Sequence, residues 1–128
     1  MRYDILVVHR KARFLSASVE RFQSKGYVIR VVTSPEDALA ECLTFNPRVI
    51  ISGLILGHGN WEKPADTLLE RLGREFSKIP VVVYADENPR NLTEEDIKLT
   101  FLSVAVALFP PDTNMDRVVE EVRSILAR

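Results

Sequence analysis

"YDILVVHRKARFLSASVERFQSKGYVIRVV" (Tyr3–Val32) carries two apolar runs flanking an amphipathic segment. It opens on an apolar run, Tyr3 to Val8, and closes on another, Val28 to Val32. Both are rich in Val and Ile and lack strict alternation, the pattern of strands covered on both faces of a parallel sheet. Between them, about Lys11 to Lys25 reads as a helix, with Phe14, Leu15, Ser18, Val19 and Phe22 on one stripe. Gly26 is placed to end it. A strand, a helix and a second strand of this kind make a right-handed crossover unit.

The pattern continues along the chain. Further β-type runs are Val49 to Ser52, Val81 to Tyr84 and Val104 to Phe109. A second helix opens at "SPED", with Ser34 as N-cap, Pro35 at the first position and Asp37 three residues after the cap. Its apolar face would be Ala38, Leu39, Cys42 and Leu43, and Pro47 stops it. A third is expected from about Pro64 to Phe76, with Leu68, Leu69, Leu72 and Phe76 inward. Gly73 would weaken it by roughly 1 kcal/mol relative to Ala. A fourth opens at "TEED", capped by Thr93. The fifth, from about Asn114, would bury Val118, Val119, Val122, Ile125 and Leu126. Five β-α units with short connections predict an α/β fold with helices on both faces of a parallel sheet. Ligands in such folds sit beyond the carboxyl ends of the strands. The loops after Val8, Ser52, Tyr84 and Phe109 are therefore where function is expected.

Composition narrows the classes. At 128 residues, 46% apolar and 27% charged, the chain reads as one domain, residues 1–128, able to build its own core. A net charge of -1 gives no general reason to expect nucleic acid or an acidic membrane as partner. Cys42 is the only cysteine, so an intramolecular disulfide and zinc-finger spacing are both excluded. It lies on the apolar face of the second helix and reads as a buried structural thiol. No apolar run has the length of a membrane span, and "MRYDILVV" is unlike a signal peptide, so a cytoplasmic location is the default expectation.

"GYVIRVVTSPEDALA", "NPRVIISGLIL", "IPVVVYADEN" and "VALFPPDTN" together resemble a response-regulator receiver domain, and the resemblance covers essentially the whole chain. It implies a doubly wound (βα)5 flavodoxin-like sandwich with a five-stranded parallel sheet of order 2-1-3-4-5. It also implies a set of functional positions. In the family, two acids after the first strand hold Mg²⁺ and an Asp after the third strand takes the phosphoryl group. A Thr or Ser after the fourth strand and a Lys after the fifth contact that group. The transfer needs a carboxylate nucleophile, a cation and fixed donors. Here the acid pair is replaced by His9 and Arg10, the phosphoacceptor by Gly53, the Thr/Ser by Ala85 and the Lys by Pro110. The aromatic of the fifth strand is replaced by Ala107, and "FPPD" stands where the family keeps a cis bond before proline. The resemblance therefore implies a degenerate pseudo-receiver: not an enzyme, without cofactor or metal, acting by phosphorylation-independent protein–protein interaction. Hard cations need oxygen ligands, which His9 and Arg10 do not supply.

Other readings of the same loops stay open. Arg10 would pair with Asp86 or Glu87 and lock the pocket in one state. His9, Arg10, Lys11 and Arg13, near the start of the first helix, would hold a small anion or form a solvated basic turn, and "HRKARF" has no Gly, Ser or Thr to cradle phosphates. His9, His58, Asp86 and Glu87 come from separate loops without metal-ligand spacing. Trp61 in "GHGNWE" is either a partner contact or a cover over the sheet end. The fourth helix, fifth strand and fifth helix, with Lys98, Phe101, Leu102 and Arg117, form the face through which receiver relatives meet a protein partner or a second copy. The competing class is a flavin or cobalamin carrier on a similar topology. Its phosphate loop and its Asp-x-His-x-x-Gly motif are both missing.

Overall fold

A computed structural model of the chain describes residues 4–9, 12–53, 55–56, 63–64, 71–72, 74–76, 78–84, 105–109 and 113–127. Its strands are β1 (Ile5–Val8), β2 (Ile29–Val32), β3 (Val49–Ser52), β4 (Ile55–Leu56), β5 (Lys63–Pro64), β6 (Val81–Tyr84) and β7 (Ala105–Phe109). Its helices are α1 (Ala12–Ser24), α2 (Pro35–Phe45) and α3 (Met115–Leu126), and residues 71–72 and 74–75 are also helical. The main sheet runs β2-β1-β3-β6-β7, every pair parallel. This is the expected 2-1-3-4-5 order, with β6 and β7 as the fourth and fifth strands.

Burial explains the apolar runs. Every residue of β1, β3 and β6 is buried, so these central strands carry no polar alternation. On one face Ile5, Val7, Val49, Ile51, Val82 and Tyr84 meet Phe22 of α1 and Val118, Val119, Val122, Ile125 and Leu126 of α3. Leu6, Val8 and Ile50 alternate to the opposite face and are equally buried. The edge strand β2 is only partly covered. Each fully buried Val, Leu or Ile side chain stabilises the fold by about 1.5–3 kcal/mol.

Local chemistry sets the helix ends. Gly26 takes φ +87° after α1, a conformation that costs a residue with a Cβ. Ser34 Oγ accepts from Asp37 N at 3.1 Å at the start of α2, and Asn46 closes that helix at φ 50° in the left-handed region. Asn114 Oδ1 accepts from Asp116 N at 2.9 Å to cap α3. Arg21 of α1 pairs with Asp116, tying the two helices.

At the amino end of the sheet, Asp4 gathers the neighbouring strands. Its Oδ2 accepts from Val28 N at 2.8 Å, and its carbonyl accepts from Arg48 N and Val49 N. Arg48 Nη1 reaches Asp4 Oδ1 at 3.1 Å, while Nη2 donates to Leu126 O at 2.8 Å. One carboxylate and one guanidinium thus join β1, β2, β3 and the end of α3.

Two expectations are corrected. Leu43 does not belong to the buried face of α2; it is 78% exposed, because it lies beyond the stripe of Ala38, Leu39 and Cys42. Pro64 does not begin a helix. It pairs with Ile55, and Lys63 with Leu56, in a short antiparallel ladder.

Candidate functional site

The ends of β1, β3 and β6 meet at the carboxyl edge of the sheet. Val8 is in register with Ser52, and Ser52 with Val83. The ladder extends past the strands. His9 N donates to Val32 O at 3.2 Å, and Gly53 N donates to Val8 O at 2.9 Å. These bonds set residues 9 and 53 side by side.

His9 is 1% exposed. Its ring lies directly over Gly53: a Cβ built on residue 53 would stand 2.9 Å from His9 Cδ2 and 3.1 Å from Nε2. Only a residue without a Cβ fits there while the imidazole holds its place. Beyond the imidazole lies the Tyr84 ring, 6.3 Å between centroids and tilted by 54°. The Tyr84 hydroxyl donates to Thr113 O at 3.2 Å, in the approach to α3. Ser52 Oγ donates to Gly53 O at 3.0 Å, so that hydroxyl serves the backbone.

The described side chains at this edge are thus an imidazole, a phenol and a hydroxyl. Among the described residues no group of three His, Cys, Asp or Glu side chains could hold a metal ion. Among them, too, no helix is long and apolar enough to cross a membrane. Away from this edge, Cys42 is buried in α2, and its thiol is pushed from 9.0 up to about 11, first by burial and then by the neighbouring Glu41 carboxylate.

No family model and no curated protein matches the chain. Solved structures do. The receiver domain of NtrX from Brucella abortus superposes with a TM-score of 0.81 at 18% identity, over 97% of this chain and 98% of that one. A two-component response regulator from Clostridium difficile gives 0.81 at 18% identity, over 99% and 98%. The signal receiver domain of a protein described as a LuxO repressor, from Vibrio parahaemolyticus, gives 0.83 at 17% identity, over 100% and 92%. The fold is that of a receiver domain.

Within the receiver fold the expected positions fall as follows. His9 and Gly53 are adjacent at the carboxyl edge, as their places in the strand order required. His9 is not part of an exposed basic turn, since it is withdrawn into the core. Arg13 lies in the first turn of α1. Arg117 is exposed on α3. Ala107 is a partly buried residue of β7, packed against the core beside a register shift in that strand. Arg10, Lys11, His58, Trp61, Ala85, Asp86, Glu87, Lys98, Phe101, Leu102 and Pro110 lie outside the described residues, as does the bond before Pro111.

Tyr84 is a residue of this site that is absent from the sequence expectations for it. Its phenol ends a strand whose other residues are all Val, which is the one signal that would have marked it. The proximity of His9 to Gly53 carried no local signal, because it arises only when β1 and β3 pair.

Proposed function

We propose that residues 1–128 form a pseudo-receiver: a non-catalytic signalling module that acts by phosphorylation-independent protein–protein interaction. The observation that carries this reading is the His9 imidazole packed on Gly53. Residue 53 holds the place where the receiver family carries its phosphoacceptor Asp. Glycine offers no nucleophile there, and the imidazole fills the space above it. Phosphoryl transfer needs an in-line path to a carboxylate and a cation on the phosphoryl oxygens. His9 supplies neither and obstructs the first.

The partner would be a protein or a second copy of the chain, meeting the face of the fourth helix, β7 and α3 through Lys98, Phe101, Leu102 and Arg117. The exposure of Arg117 on α3 is compatible with that role. NtrX, with 27% of its length matched, illustrates a receiver fold carried inside a longer protein. A cytoplasmic location, with neither nucleic acid nor membrane as ligand, completes the proposal.

The test uses a phosphodonor. The receiver domain of DrrB, 17% identical with a TM-score of 0.78, is described as activated by BeF3. Incubation of this chain with acetyl phosphate and Mg²⁺ is expected to leave its intact mass unchanged, and BeF3⁻ with Mg²⁺ is expected to leave its amide NMR spectrum unchanged. A phosphorylated species, or BeF3⁻-dependent shifts around residue 53, would overturn the reading.

A further inference from the structure

We infer that the His9 imidazole, packed over Gly53, sets the position of the segment that starts α3, with Tyr84 as the relay. It shares the His9–Gly53 packing with the pseudo-receiver reading and adds to it the path from His9 through Tyr84 to Thr113. A Cβ at residue 53 would stand 2.9 Å from the imidazole, and the Tyr84 ring lies 6.3 Å from it between centroids. Tyr84 in turn holds Thr113 O, one residue before the Asn114 cap of α3. Asp116, two residues past that cap, donates its backbone N–H to Asn114 Oδ1 and pairs with Arg21 of α1. A buried ring thus connects the carboxyl end of β1 to the start of α3 through one aromatic contact and one hydrogen bond.

Packed interiors respond to a missing ring by partial collapse, so loss of the imidazole releases Tyr84 from one side. The bond from its hydroxyl to Thr113 then has a second geometry open to it. In the intact chain the ring is covalently attached and cannot leave. The start of α3 is therefore held in one position, a constitutive setting of the helix that carries Arg117.

Free imidazole is the probe, since it replaces the deleted ring without the backbone. His9→Ala is expected to lower Tm and to shift the amide resonances of Thr113 to Arg117. Added imidazole is expected to raise the Tm of His9→Ala and return those resonances toward their wild-type positions, with no effect on the wild-type chain. Ser34→Ala, which removes a cap in α2, is expected to lower Tm without moving them. Resonances of Thr113 to Arg117 that stay in place in His9→Ala, or that move and ignore imidazole, overturn the proposal. Should His9→Ala fail to fold, Tyr84→Phe keeps both rings and deletes only the hydroxyl. It is expected to shift the same resonances, and an unchanged spectrum overturns the relay. None of these outcomes depends on the phosphodonor assay, so failure of either reading is seen separately.

Discussion

At the scale of single residues, the contact between His9 and Gly53 makes a sharp prediction. Gly53→Ala adds a methyl group 2.9 Å from His9 Cδ2, where real side-chain carbons do not sit. It is expected to cost about 1–3 kcal/mol by overpacking. The cost should shrink when His9→Ala is already present, because the obstructing ring has gone. A double-mutant cycle by urea denaturation measures this coupling, and additive effects would contradict the packing described. Cys42 makes a second prediction. Its thiol is raised to about 11, so at about pH 8 the folded chain carries roughly a hundredfold less thiolate than an ordinary cysteine. Reaction with an aromatic disulfide reagent should be slow when folded and fast in denaturant. The linkage has a definite sign. The unfolded chain releases this proton near 9.0 and the folded chain only near 11, so the unfolded state binds fewer protons between those values. Stability should fall as pH rises through that window, and Cys42→Ala should flatten the decline in a pH series of urea midpoints.

At the scale of elements, the brace under the sheet matters most. Arg48 spans Asp4 and the carbonyl of Leu126, so it restrains both the start of β3 and the end of α3. The side chains are partly exposed, 36% for Arg48 and 22% for Asp4, so solvent screening discounts the ion pair itself. The hydrogen bond to the helix carbonyl adds to it. Arg48→Met is expected to destabilise by about 1–2 kcal/mol in urea denaturation. Arg48→Lys should lie between, since an ammonium keeps the charge but lacks the fork that reaches two acceptors. Hydrogen exchange should show the loosening first at the last turn of α3.

At the scale of the whole molecule, the proposed docking role predicts a separation between fold and binding. Phe101→Glu with Arg117→Glu should leave the circular dichroism spectrum intact. Where a protein partner or self-association has been measured for the unaltered chain, the double variant should lose it by tenfold or more, which is about 1.4 kcal/mol. Binding that survives both substitutions would move attention to the carboxyl edge of the sheet.

Much of the architecture was legible in the sequence. Val- and Ile-rich runs announced strands buried on both faces, and β1, β3 and β6 are buried throughout. Ser34, Gly26 and Asn114 marked helix ends, because caps and left-handed turns are chosen by residues a few positions apart. Leu43 was misread because a helical stripe has a width that period alone does not set. Pro64 reads as a helix start because its pairing is with Ile55, a residue outside its local sequence. The order of strands and helices and the identities of the residues at 9 and 53 follow from local sequence alone. Their contact is made by the folded sheet. The parallel register of Val8 with Ser52 brings distant segments together, and packing, not local propensity, then turned His9 from a basic loop residue into the buried ring over Gly53.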